Sequence, residues 1–303
     1  MSDEMGRREM LRYLGAGALV PTATKAGAPA ASAAPARAAA LSIPFEEETI
    51  GFSVKGQQLK ALLRSPQRRA DTPALLVNLT GDRVESLDGN RWGYVFRVVP
   101  DIFLGAGHRV MSFDLPYHGE RATRGGGLGA WAAAWARGED VMGDVHQTLR
   151  ALIDLLIQRK VATDGLIALN GISRGGLSCL HGMAADKRVL ACAAHAPPVH
   201  LPAVEEFKHL AGNKLVEQSN PTTLIPKLAD RPVFLAVGSA DPRVGAEHTF
   251  AFHAHLNAAC AVIRPQLFCG PGTSHGARYP DHAAQQAAGA FLLGWCAQKA
   301  KLL

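Results

Sequence analysis

The amino-acid sequence predicts an α/β fold in which a mostly parallel β-sheet is covered by helices on both faces. Three observations predict it. From Phe45 onward, short strand-like runs alternate with segments of helical periodicity, the order that builds a parallel sheet through crossover helices. Several of those runs, 166–169 and 233–237 among them, are apolar without alternation, as strands buried on both faces must be. Beyond the first forty residues about 260 remain, a length that suits one α/β domain.

Taken in order, 45–54 and 59–63 read as strands joined at Lys55-Gly56-Gln57, a hairpin. The run 74–79 is a third strand, ending in Thr80-Gly81-Asp82. Val95, Val98 and Ile102 recur at helical spacing, and Gly105-Ala106-Gly107 closes that helix. Residues 110–113 form the next strand, broken by Asp114-Leu115-Pro116, and a glycine-rich loop over 124–129 follows. Met142, Val145, Leu149, Leu152 and Leu156 mark one face of a long helix. After strand 166–169, Leu177, Leu180 and Ala184 mark another. Runs 189–194 and 233–237 are two more strands. Between them lies a proline-rich, irregular segment, 197–232, expected to form a short cap. Run 266–269 is the last strand, 246–258 and 283–295 are helices, and no repeat or second domain is evident.

Apolar residues make up 48% of the 303 and charged residues 19%, which supplies a large core and excludes a disordered chain. After the N-terminus no apolar run approaches the ~18 residues of a membrane span. The net charge is +6, of which residues 1–40 carry +2, and no block of five basic residues occurs. Such a mild excess reads as a solvated surface and implies no nucleic-acid partner. Cys179, Cys192, Cys260, Cys269 and Cys296 form no CxxC pair and are expected as free thiols, mostly buried, although export would allow one pair to oxidise.

The first forty residues read as an export signal, with 41–303 as the folded domain. Arg7-Arg8 opens a charged start, 13–20 is a short apolar middle, and a tract rich in Ala, Pro, Ser and Thr runs to Ala40. The arginine pair resembles a bacterial twin-arginine signal, with Met10 where an aromatic is usual. Ala31-Ser32-Ala33 and Ala36-Arg37-Ala38 offer cleavage sites, and the absence of cysteine before Cys179 argues against a lipid anchor. A periplasmic or secreted location is the expectation, and a cytoplasmic one if the segment is not a signal.

The chemistry concentrates at Gly171-Ile172-Ser173-Arg174-Gly175, between a predicted strand and a predicted helix. A sharp strand-to-helix turn holds the serine in a strained backbone, glycines leave room for neighbouring chain, and the helix N-terminus favours negative charge. A serine hydroxyl needs a base within hydrogen-bond reach. Of twelve histidines, His275 stands in Pro271-Gly272-Thr273-Ser274-His275-Gly276, a loop after the last strand. The run 233–237 leads into Gly238-Ser239-Ala240-Asp241, a place for a turn carboxylate. Ser173 is the candidate nucleophile, His275 the base and Asp241 the residue that orients it.

The strand–helix succession, the 171–175 turn, Asp241-Pro242-Arg243-Val244 and Ser274-His275-Gly276 resemble the α/β-hydrolase superfamily. Ile172-Ser173-Arg174-Gly175-Gly176 and the Asp-x-Arg-Val form are similar to its prolyl-oligopeptidase and dienelactone-hydrolase branches, without a β-propeller before the domain. The resemblance covers about residues 45–300 in layout. It implies an oxyanion hole made by the backbone N–H groups of Arg174 and Asp82, the latter where the superfamily often has His-Gly and a donor. An acidic side chain there opposes catalysis unless it turns away or pairs with Arg83. Asp114-Leu115-Pro116-Tyr117-His118-Gly119 resembles another superfamily loop, with Tyr117 where glycine is common, and is expected to shape the mouth of the site.

Other readings are weaker. His118, His248, His253 and His255 show no convergent metal-ligand pattern, and Gly125-Gly126-Gly127 lacks the Lys-Ser/Thr ending of a phosphate loop. Trp131 and Trp135 are expected to pack inward or line the cleft rim. Asp164, Asp230 and Asp281 are rival carboxylates: Asp230 precedes its strand, and Asp281 opens a helix, where capping explains it. The sequence thus predicts a cofactor-free serine hydrolase. A carboxylic ester is the expected substrate, small or carried on a short acylated or peptide molecule. Alternatives are an oligopeptidase or amidase of the same mechanism, or a non-catalytic exported binding protein.

Overall fold

A computed structural model describes residues 43–90, 93–122, 126–273, 275 and 282–303. The N-terminal segment with Arg7-Arg8 lies outside the described residues, as do Arg124 and Gly125 of the glycine-rich loop, Ser274, Gly276 and Asp281.

The hairpin comes first. Strands β1 (Phe45–Val54) and β2 (Gln57–Pro66) pair antiparallel, and Lys55 and Gly56 take positive φ at their turn. Strand β3 (Leu75–Leu79) is buried along its length and leads into a short helix, α1 (Arg83–Asp88). Its six residues hold no apolar period, which is why the sequence pattern did not reveal it. Helix α2 (Val98–Gly105) precedes β4 (Arg109–Phe113). Helix α3 (Gly127–Ala136) begins inside the predicted glycine-rich loop, so Gly127 to Gly129 are helical instead. Helix α4 (Val141–Gln158) follows, capped by the Asp140 carboxylate, which accepts from the Gly143 amide at 2.8 Å. Such a cap contributes about 1 kcal/mol.

Strand β5 (Ile167–Ile172) is continued by α5 (Arg174–Ala185), and β6 (Val189–His195) lies beside it. The predicted cap is not irregular: 201–228 winds through helical turns that include α6 (Lys214–Gln218) and α7 (Ile225–Leu228). Leu201, Val204, Phe207 and Leu210 are all buried at intervals of three, the 3₁₀ period. Phe207 meets Trp135 with ring centroids 5.0 Å apart and is fully buried, so it is a core side chain. Strand β7 (Val233–Gly238), helix α8 (Ala246–Ala259), strand β8 (Gln266–Gly270) and helix α9 (Ala283–Ala300) complete the domain, Ile43–Leu303.

The eight strands run in the order β1-β2-β4-β3-β5-β6-β7-β8. Only the β1–β2 and β2–β4 pairs are antiparallel, so the predicted mostly parallel sheet is what the structure has. Each face carries its own apolar core. One joins β-strand side chains to Trp131, Leu149, Leu180 and Phe252 of α3, α4, α5 and α8. The other joins them to Phe103 of α2 and Leu292 of α9. Among the described residues no helix is long and apolar enough to cross a membrane. Cys179, Cys192, Cys260 and Cys296 are buried free thiols, and Cys269 is exposed.

Candidate active site

Ser173 stands between β5 and α5 with φ 56° and ψ −120°, a conformation that L-residues seldom adopt. Two glycines make that turn possible. A Cβ at Gly175 would collide with the carbonyl of Leu79, and one at Gly171 with the backbone of Gly175. Both positions therefore exclude any side chain, and Gly175 holds the turn against the end of β3. The Ser173 amide donates to His195 O at 2.7 Å, which fastens the turn to β6 as well.

The strands β5, β7 and β8 end at one edge of the sheet, and the three predicted residues follow those ends. Asp241 lies three residues past β7, buried, with its side chain wholly shielded. Its Oδ1 accepts from the Arg243 amide at 2.8 Å and its Oδ2 from His275 Nδ1 at 3.0 Å. A carboxylate only accepts, so Nδ1 carries the proton and Nε2 presents its lone pair. That nitrogen is 3.1 Å from Ser173 Oγ. The structure thus brings Ser173, His275 and Asp241 together in one hydrogen-bonded line. The rival carboxylates are elsewhere: Asp230 accepts from the Val262 and Ile263 amides before β7, and Asp164 is exposed before β5.

Asp82 lies past the end of β3. Its carboxylate turns onto its own helix, accepting from the Val84 and Glu85 amides at 2.8 and 3.0 Å. It pairs neither with Arg83, which binds Asp114 and Glu120, nor with the serine. The backbone amides of Asp82 and Arg174 donate to no described residue.

The loop 114–119 packs against this segment. The Leu115 amide donates to Gly81 O at 2.8 Å, and Tyr117 takes a left-handed φ of 64°, at the position where the superfamily commonly has glycine. Buried Asp114 accepts from the Arg83 and Glu120 amides at 2.8 and 3.0 Å and from the Arg83 guanidinium, while burial raises its pKa. His118 gives its Nδ1 proton to Pro116 O at 2.8 Å, and burial holds the ring's pKa down to about 4, so it is neutral near pH 7. Trp131 is fully buried and donates to the same carbonyl at 2.8 Å.

One group was missed in the sequence, a polar chain beneath the serine turn. Asn78 donates to Ser86 O (2.5 Å) and Phe96 O (3.0 Å), Asn170 donates to Asn78 Oδ1 (2.6 Å), and His195 Nε2 donates to Asn170 Oδ1 (3.1 Å). It crosses β3, β5 and β6 and is buried throughout. Burial holds His195 near a pKa of about 4, so it acts as a neutral donor. The signal was available: Asn78 and Asn170 are the polar residues of two otherwise apolar strand runs.

Comparison with known proteins agrees with this architecture. A family model described as the prolyl oligopeptidase family matches residues 124–302. The chain belongs to that family, and it is a serine hydrolase of the α/β-hydrolase fold. No curated protein matches it. Among solved structures it is similar to the Pyrococcus furiosus esterase Pf2001, at 17% identity and a TM-score of 0.60, over 83% of this chain and 94% of that one. A cold-adapted esterase from an Arctic intertidal metagenomic library is similar at 18% identity and TM-score 0.62, over 86% and 96%. Puromycin hydrolase is similar at 18% identity and TM-score 0.62, over 82% of this chain and 40% of that one. At such identities the likeness to these structures is one of fold.

Proposed function

We propose that this serine hydrolase cleaves carboxylic esters through an acyl-enzyme on Ser173. The observation that carries the proposal is the line Asp241 Oδ2, His275 Nδ1, His275 Nε2, Ser173 Oγ, with both contacts near 3 Å. Ser173 Oγ attacks the carbonyl while His275 takes its proton and later gives it to the leaving alcohol; Asp241 holds the ring in that tautomer. The oxyanion meets the amides of Arg174 and Asp82, which have no other described acceptor, and the partial positive charge at the start of α5. Water then releases the acid by the same steps in reverse, and no cofactor is needed.

Esters are favoured over amides because the chain matches the two esterases over almost their whole length but puromycin hydrolase over less than half. The family's name keeps short peptides or amides as the second reading. A panel of acyl esters and peptide amides tests the choice, with a fluorophosphonate probe reporting on Ser173. Faster turnover of every amide than of any ester would reverse it. Export of the chain is a separate proposal resting on Arg7-Arg8. Intact mass of the protein from the cell envelope tests it, and a product still beginning at Met1 counts against it.

A further inference from the structure

Among the described residues, arginines shielded from solvent have hydrogen-bonded partners, with one exception. Arg64 holds Glu47, Asp88 and the Leu87 carbonyl; Arg121 holds Asp144; Arg231 holds the carbonyls of Met183 and Val189. Arg174, the residue after Ser173, donates no side-chain hydrogen bond to any described residue and joins no ion pair, although its Nε is fully buried. Burial and the neighbouring Arg243 lower its pKa, and the Glu206 carboxylate opposes them. A guanidinium still stays protonated at neutral pH, so this site holds a cation with no hydrogen-bonded counter-ion among the described residues.

The Glu206 carboxylate acts on Arg174 through space without a hydrogen bond to it, and both oxygens of that carboxylate are held by Arg243. A Cβ at Gly81 would stand 2.9 Å from Arg174 Nη2, 3.0 Å from Nε and 2.8 Å from His118 Cδ2, so the guanidinium lies along the segment between β3 and α1, beside neutral His118. Among the described residues, the carboxylates of this region already hold other groups: Asp82 its own helix, Asp114 Arg83, Glu206 both terminal nitrogens of Arg243, and Asp241 His275. His118 Nε2 is a second buried polar atom at the same place without a partner among the described residues. A largely shielded cation without a hydrogen-bonded partner is unfavourable in a folded chain, and such groups cluster where a ligand completes them.

We propose that the Arg174 side chain binds a carboxylate of the substrate, so that the preferred esters are anionic, such as half-esters of short dicarboxylic acids. This rests on Ser173 acting as the nucleophile, since the guanidinium belongs to the adjacent residue. A charge-assisted, forked pair between guanidinium and carboxylate supplies the missing partner and orients the scissile carbonyl over the serine.

The test compares monomethyl glutarate with dimethyl glutarate, which differ in the free carboxylate. Wild-type protein is expected to show the higher kcat/KM for the half-ester. In Arg174→Gln the ratio of the two kcat/KM values should fall at least tenfold, and Arg174→Lys should restore part of it. The melting temperature of Arg174→Gln should equal or exceed that of the wild type, because the change removes a shielded cation that makes no hydrogen bond to a described residue; a structural arginine would give the opposite. Calorimetric binding of monomethyl glutarate to Ser173→Ala, against Ser173→Ala with Arg174→Gln, reads the same contact without turnover. Binding that survives the loss of Arg174, or a wild-type preference for the diester, overturns the proposal. Arginine-dependent binding with no hydrolysis of either ester would instead count against the esterase reading alone.

Discussion

Ser173 and Asp82 hold equivalent positions and use them differently. Each follows a buried parallel strand, and each is the N-cap residue of the helix that comes next. Asp82 has extended backbone, φ −88° and ψ 135°, and its side chain caps α1. Ser173 has φ 56° and ψ −120°, makes no cap bond, and reaches His275 instead. Serine and aspartate are equally good N-caps, so residue chemistry does not explain the difference. Backbone conformation does. Strain on the order of 1–3 kcal/mol keeps the hydroxyl from its own helix, and the close approaches at Gly171 and Gly175 sustain it. A strained cap position is what makes the serine available; a relaxed one is what takes the Asp82 carboxylate out of the site.

The largest expected effect falls on the strained side. Ser173→Ala and His275→Ala should each lower ester hydrolysis on the order of 10⁴-fold or more, and the double change should be barely worse than either. Losses that multiply in the double variant would show that the two do not act as a unit. On the relaxed side, Asp82→Pro deletes the amide and should cost about 10²–10³ in kcat, whereas Asp82→Ala keeps it and should change kcat far less. Equal losses in the two variants would leave that amide without a part in the reaction. The polar chain joins the two regions, so Asn78→Ala strands the Asn170 amide and should cost about 2 kcal/mol in urea unfolding. The smallest effects compare the caps directly. Ser173→Gly should be more stable than Ser173→Ala by about 1 kcal/mol, because only glycine relaxes at that φ. Asp82→Ala should lose about 1 kcal/mol by losing its cap. A melting order of Ala above Gly at position 173 would contradict the account of strain.

Much of the fold was legible because its signals are local. The period of α4 shows in Met142, Val145, Leu149, Leu152 and Leu156, and the turn at Ser173 in flanking glycines between an apolar run and a helix. Where the signal was absent or of another period, the reading failed. Helix α1 is too short to show a period. The turns of 201–210 follow a three-residue spacing, which matches neither the helix nor the strand period. Helix α3 starts on glycines that read as a loop, since burial of Trp131 and Trp135 outweighs the poor helix propensity of its first turn.

By itself, then, the sequence determined which residues could serve as nucleophile, base and acid, because strand ends and turn glycines are written in neighbouring positions. Their meeting was decided only by tertiary structure. Ser173 and His275 are 102 residues apart and His275 and Asp241 34, and they converge because the register of β5, β7 and β8 brings those strand ends to one edge. The same holds for Arg174, whose side chain has no hydrogen-bonded partner among the described residues, and for Asn78 bonded to Asn170. Whether a charge or amide finds a partner depends on which distant chain packs beside it, and no local pattern carries that information.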